Sequence, residues 1–150
     1  MDELKLNVGS LVALLLVTVA FFFALTCLDY LLMVTYAWKD PDTLYRYWII
    51  LWMVVIVYGF GLSFMGYVGG MKPLECVALC VTVVLLFAGG LLDQFYALLA
   101  FVQGQSYSFA VWSAFYKWGL TFWDWPEQIV WSAIFYGVIA YMWYRVLHKK

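Results

Sequence analysis

Charged residues are scarce in this chain. They make up 11% of its 150 residues, whereas 67% are hydrophobic, and the mean hydropathy is +0.92. Soluble domains are about a quarter charged and about half apolar, so a water-soluble domain is excluded and an all-α integral membrane protein is predicted. The net charge is −1, and no basic run is longer than the terminal lysine pair, which argues against nucleic-acid binding.

Histidine and cysteine are too few for the common metal and redox sites. His148 is the single histidine, which excludes bis-histidine haem ligation and histidine-based metal catalysis within this chain. Cys27, Cys76 and Cys80 lack the CxxC spacing of a redox pair or a zinc site, so we expect them to act as small buried apolar groups. We therefore predict neither a metal nor a cofactor.

Long apolar runs are abundant. Four of them reach the roughly 20 residues that a helical crossing needs, and helices are the default because every backbone group must be satisfied within the bilayer. The predicted spans are 8–36, 44–68, 74–102 and 128–147, which together form one transmembrane domain over residues 1–150. Because the turn between the second and third spans is short, these two should be antiparallel neighbours in a four-helix transmembrane bundle.

The connection between the third and fourth spans is unusually aromatic. Its segment SFAVWSAFYKWG, residues 108–119, predicts a short additional helix that ends at Gly119. This helix would lie in the membrane interface or re-enter the bundle. A fifth span is the remaining alternative, although the run is short for a crossing.

The distribution of positive charge predicts the orientation. With four spans, five basic residues fall on the side of the termini and three on the other side. By the positive-inside rule, both termini are expected in the cytoplasm of a multi-pass protein of the cell membrane. The first group is Lys5, Lys72, Arg145, Lys149 and Lys150, and the second is Lys39, Arg46 and Lys117.

Two aspartates lie inside predicted spans at matching depth. Asp29 is about 27 Å beyond Leu11 and Asp93 about 28 Å beyond Leu74 at the helical rise per residue. The first and third spans run in the same direction, so both carboxyl groups are predicted in the outer half of the membrane. An ionisable group in hydrocarbon is a candidate functional residue. The alternative is that tilted or longer helices place one or both at the headgroups.

If the two aspartates face each other, they form a polar pocket. Two carboxylates in a low dielectric cannot both be charged cheaply, so a cation or a shared proton should balance them. Asp93 would then be the candidate acid of any proton transfer, with Asp29 as its partner. The neighbours predicted for this ligand-binding pocket, some of which also suit helix caps or headgroup contact, are Thr26, Gln94, Tyr96, Lys117, Asp124 and Glu127.

Small residues follow one face of the second span. Gly59, Ser63, Gly66 and Gly70 are spaced 4, 3 and 4 apart, a pattern that lets another helix approach closely. The pair Gly89-Gly90, one turn before Asp93, would serve close packing or would loosen the helix to make room for a ligand.

The predicted outline is four spans with acidic and aromatic residues toward one membrane face. It resembles that of the emopamil-binding-protein-like isomerases and sigma-2-type receptors, and the resemblance implies a pocket for an apolar or cationic amphiphile. The leading hypothesis is binding of a lipid-like or amphiphilic small ligand, with or without proton-transfer chemistry. One alternative is a non-catalytic subunit that pairs with partner subunits or with itself through the glycine face. A weaker alternative is an ion or proton pathway.

Overall fold

The computed structural model describes residues 8–35, 41–104 and 125–148, which are helical apart from short turns. The predicted aromatic helix at 108–119 and the residues Lys117 and Asp124 lie outside these ranges. The described ranges contain five helices, α1 Val8–Thr35, α2 Pro41–Val68, α3 Pro73–Ala88, α4 Leu91–Val102 and α5 Trp125–Leu147.

Three of the helices, α1, α2 and α5, are long and apolar enough to cross a membrane. The pair α3–α4 meets the same criterion when it is taken as one broken span, which gives up to four crossings. Large apolar side chains such as Val57, Phe60 and Met65 remain at least 65% exposed. A surface of this kind suits hydrocarbon as its solvent.

The helices alternate in direction around α3. Helix α3 packs against both α2 and α5. It is antiparallel to α2, since Ser63 bonds to Cys76 near one end while Trp52 meets Phe87 near the other. It is antiparallel to α5 as well, since the later residue Trp143 bonds to Thr82 and the earlier residue Trp131 bonds to Ala88. Helix α1 runs parallel to α3–α4 and contacts α4. The predicted antiparallel pairing of the second and third segments is therefore present in the fold.

The third segment, predicted as a span over 74–102, is bent rather than straight. Helix α3 ends at Ala88, α4 begins at Leu91, and their axes differ by 49°. Gly90 between them has a φ of +81°, a left-handed conformation that is strained for any residue with a Cβ. The spacing of about 28 Å between Leu74 and Asp93 was calculated for a straight helix and is shorter here.

The buried side chains form two clusters along the bundle. Phe22, Val55 and Phe87 belong to a larger cluster shared by α1, α2, α3 and α4, which Leu51, Val83, Leu92 and Tyr96 complete. The smaller cluster joins Ala78 and Leu79 of α3 to Trp143 of α5. The larger cluster extends to the helix break and includes residues of α4, so the candidate functional residues on α4 lie next to a packed core.

Candidate functional site

Asp29 and Tyr96 are joined across the interface between α1 and α4. The Tyr96 hydroxyl donates a hydrogen bond to Asp29 Oδ2, and both residues are buried, at 8% and 4% exposure. A hydrogen bond between two buried groups holds the carboxyl group in one orientation. The sequence predicted Tyr96 near the two aspartates but not this hydrogen bond, because the fold has to bring together residues that are 67 positions apart.

Asp93 lies in the first turn of α4, half-buried and within electrostatic range of Asp29. In the part of the chain that the structure describes, no hydrogen bond or ion pair joins the Asp93 carboxylate to another side chain. The positive end of the α4 dipole favours a negative charge at this position. We call Asp29, Asp93 and Tyr96 the acidic site.

Other predicted neighbours take different positions. The Thr26 hydroxyl, fully buried, donates to its own helix at Phe22 O over 2.8 Å, one turn before Asp29. Glu127 is half-buried in the first turn of α5. It borders an open groove of about 360 Å³ with Pro126, Val130, Trp131 and Ile134, and neither aspartate lines that groove.

Gln94 belongs to a second polar group on the opposite face of α4. Its amide nitrogen donates to Ser132 Oγ over 2.8 Å, and its amide oxygen accepts from the Tyr136 hydroxyl over 2.9 Å. Both partners are on α5. We call Gln128, Ser132 and Tyr136 the α5 polar stripe. The structure thus separates Gln94 from Tyr96, which faces α1.

The α5 polar stripe also contacts the backbone of the helix break. Ser132 Oγ donates to Gly89 O over 2.6 Å, and Gln128 Nε2 lies 3.4 Å from the same carbonyl oxygen. Beside them, Trp131 Nε1 donates to Ala88 O over 2.8 Å. Where a helix breaks, carbonyl groups lose their usual partners, and here α5 side chains supply the missing donors.

Of the α5 residues, the predicted site contained Glu127 but none of the α5 polar stripe, although the sequence contains a signal for the stripe. Gln128, Ser132 and Tyr136 are spaced four apart, so they share one helix face, and polar groups inside a span normally turn toward the bundle. The stripe contains no carboxyl group, so the cost of a charge in hydrocarbon, which marks Asp29 and Asp93 as candidates, does not apply to it. Trp131 carried no comparable signal, because a tryptophan near a span end suits a membrane interface equally well.

The small-residue face of α2 is covered by α3 of the same chain. A Cβ on Gly59 would lie 3.4 Å from Cys80 Sγ, and Ser63 Oγ donates to Cys76 O over 2.8 Å. Next along this face, Gly66 adjoins Met71, while Gly70 is in the turn with a φ of +91°. The part of this face formed by Gly59 and Ser63, which the subunit hypothesis assigned to a partner, therefore packs within the chain, whereas Gly70 is exposed.

The polar side chains of α3 also have hydrogen-bond partners. The Thr82 hydroxyl donates to Ala78 O and accepts from Trp143 Nε1, both over 2.8 Å. Glu75, in the first turn of α3, accepts from the Lys72 backbone N–H over 2.9 Å. These bonds satisfy helix ends and buried hydroxyls, and they give the ion-pathway hypothesis no added support.

Comparison with known proteins yields no relative for this chain. No protein-family model, no curated protein and no solved structure matches it.

Proposed function

We propose that this chain is a four-span membrane protein that binds a cationic amphiphile, with the positive headgroup at the acidic site. The observation that carries the proposal is the position of Asp93, a carboxylate beside a second, buried carboxylate and without a side-chain partner among the described residues. A lipid-like ligand would place its chain along the exposed apolar surface of the bundle.

The magnitudes favour a charged occupant. A charged aspartate within a span costs about 2.5–3.5 kcal/mol on insertion scales, whereas a helix N-terminus returns about 0.3–1 kcal/mol in ordinary cases. The α4 dipole therefore offsets only part of the cost at Asp93, and Asp29 adds repulsion. A cation placed between the two carboxylates would offset both terms, which an anionic or neutral headgroup would not do.

Binding can be tested with matched single-chain amphiphiles. The purified protein in zwitterionic lipid nanodiscs would be titrated with hexadecyltrimethylammonium, hexadecanol or hexadecyl sulfate, and its unfolding temperature measured. We expect hexadecyltrimethylammonium alone to raise it, since a ligand at 100 times its Kd stabilises by about 2.7 kcal/mol. Equal shifts with all three probes would contradict a charge-specific site.

Two variants of carboxyl side chains test whether hexadecyltrimethylammonium binds at the acidic site. Asp93→Asn keeps the shape of the side chain and removes its charge, so the response to hexadecyltrimethylammonium should be lost. Glu75→Gln is the matched control, because Glu75 is in the first turn of α3, at the other end of the bent segment. If Glu75→Gln abolished the response and Asp93→Asn retained it, the ligand would belong elsewhere.

The proposal includes an orientation with both termini in the cytoplasm of the cell. It is supported by the alternating helix directions and by the five-to-three distribution of basic residues. In a cysteine-free background, Gln103→Cys should react with an impermeant maleimide in intact cells, and Glu3→Cys only after lysis. Reaction of both positions in intact cells would contradict the three crossings that the proposal places between them.

A further inference from the structure

The break between α3 and α4 places backbone carbonyl groups in an apolar environment. Ala88 O and Gly89 O would accept bonds from Leu92 and Asp93 if the helix continued, since α-helical bonds join residues four apart. In the bent form they accept instead from Trp131 and Ser132 of α5. An unsatisfied backbone group within a bilayer costs several kcal/mol, so the bend depends on these donors.

Gln128 adds a steric contribution to the same contact. Its amide nitrogen lies where a Cβ of residue 90 would be, so only glycine leaves room for it. The amide is held by Gly89 O and by Ser132 Oγ, at 3.4 and 3.3 Å. Gln128 is fully enclosed, at 2% exposure, which shows that α5 fits closely against the break.

We propose that Gln128, Ser132 and Trp131 form a latch that holds the α3–α4 segment bent, and that Ser132 and Gln128 are thereby positioning residues for Asp93. Without the latch, the segment recovers its intrahelical bonds by straightening, and Gly90 can leave its left-handed conformation at no steric cost. Straightening turns the start of α4 and moves Asp93 relative to Asp29. The latch stands on geometry alone, whereas the positioning role rests on the proposed function.

The bend can be measured directly by pulsed electron–electron double resonance, which gives the distance between two spin labels. Spin labels would replace Val77 on α3 and Leu98 on α4, both well exposed, in a cysteine-free background. From the 49° bend and the helical rise, straightening should lengthen the distance by about 3 Å. We expect this lengthening in Gln128→Met/Ser132→Ala, and an unchanged distance in that double variant would overturn the latch.

Two further variants separate the latch from general destabilisation. Thr82→Val removes a different hydrogen bond between α3 and α5, the one from Trp143, and should leave the distance unchanged. Ser132→Thr keeps the hydroxyl and should retain the bent distance, while Ser132→Ala should shift it in part. This single-site pair carries the test if the double variant is not recovered in folded form.

The positioning role needs a binding measurement on the same proteins. With hexadecyltrimethylammonium as the probe, we expect affinity to fall by roughly tenfold in Gln128→Met/Ser132→Ala, corresponding to about 1.4 kcal/mol, and to be retained in Ser132→Thr. Lengthening of the distance with unchanged affinity would overturn the positioning role. Absence of binding to the unmutated protein would overturn the proposed function, while the distance measurement would still decide the latch.

Discussion

Two glycine pairs in this chain share a local sequence and end in different structures. Gly69-Gly70 and Gly89-Gly90 each follow an apolar helix, and in each pair the second glycine has a positive φ, +91° and +81°. At the first pair the chain reverses between α2 and α3. At the second it bends by 49° and continues as α4.

The surroundings explain the difference. After Gly70 the Met71 N–H bonds back to Gly66 O over 2.9 Å, which completes a Schellman ending, and Pro73 starts a new helix. After Gly90 the chain enters α4 at once, and the Gln94 N–H bonds to Gly90 O over 3.1 Å. Gly70 is exposed, whereas Gly90 is buried against α5. A double glycine permits a break, and the neighbouring helix determines its form.

The largest effect is expected at Gly90. Gly90→Ala should destabilise the protein by about 3 kcal/mol, combining left-handed strain of about 1–2 kcal/mol with displacement of Gln128 from its two hydrogen bonds. Gly104→Ala is the matched control, because Gly104 has a φ of +69° and open space where its Cβ would be. For Gly104→Ala, unfolding in mixed micelles should show a loss of stability of roughly the left-handed strain alone. Equal losses of stability for the two variants would contradict the steric role of Gln128.

A smaller effect is expected at the hydrogen bonds beside each glycine pair. Tyr96→Phe removes the hydrogen-bond donor of the buried Asp29 carboxyl group and should cost about 2 kcal/mol, since a buried acceptor loses its partner. Ser63→Ala removes a neutral bond to Cys76 O near the first pair and should cost about 0.5 kcal/mol. The same unfolding assay compares them, and a greater loss for Ser63→Ala would reverse the contrast between the two regions.

The smallest effect concerns helix packing. Gly59→Ala would place a Cβ 3.4 Å from Cys80 Sγ, an ordinary contact, and should change stability by less than about 0.5 kcal/mol. At Gly89 the added Cβ would lie 2.9 Å from Phe135 Cβ and 3.0 Å from Leu85 O, so Gly89→Ala should cost about 1 kcal/mol or more. Equal tolerance at both sites would mean that α5 packs loosely at the break.

Much of the helical framework could be predicted from composition and run length. The end of α2 at Val68 and the turn at Gly69-Gly70 agree closely with the prediction, because apolar runs and glycine–proline signals are local properties. The third predicted span, over 74–102, is divided into α3 and α4 with a bend of 49° between them. Hydropathy is the same for a straight and a bent apolar helix, so it contained no information about the bend.

The candidate site, like the helical framework, could be predicted only in part. Matched depth on parallel spans led to the prediction that Asp29 and Asp93 share a pocket. In the structure the two carboxyl groups are near enough to interact electrostatically, and the shared pocket stays a prediction. The division of α4 into a face toward α1, with Tyr96, and a face toward α5, with Gln94, needed the actual neighbours. Residues two positions apart on a helix point in nearly opposite directions, and only the packing of the helices decides which partner each side chain meets.

By itself, the sequence determined that the chain forms apolar helices, that two carboxyl groups lie within them and that glycine permits a left-handed residue at position 90. These properties follow from side-chain transfer energies and backbone sterics, which act over a few residues. Tertiary structure alone decided that α5 satisfies the carbonyl groups of the break and that Tyr96 reaches Asp29. A hydrogen-bond donor for a freed carbonyl can come from any part of the chain, so the fold has to bring it there.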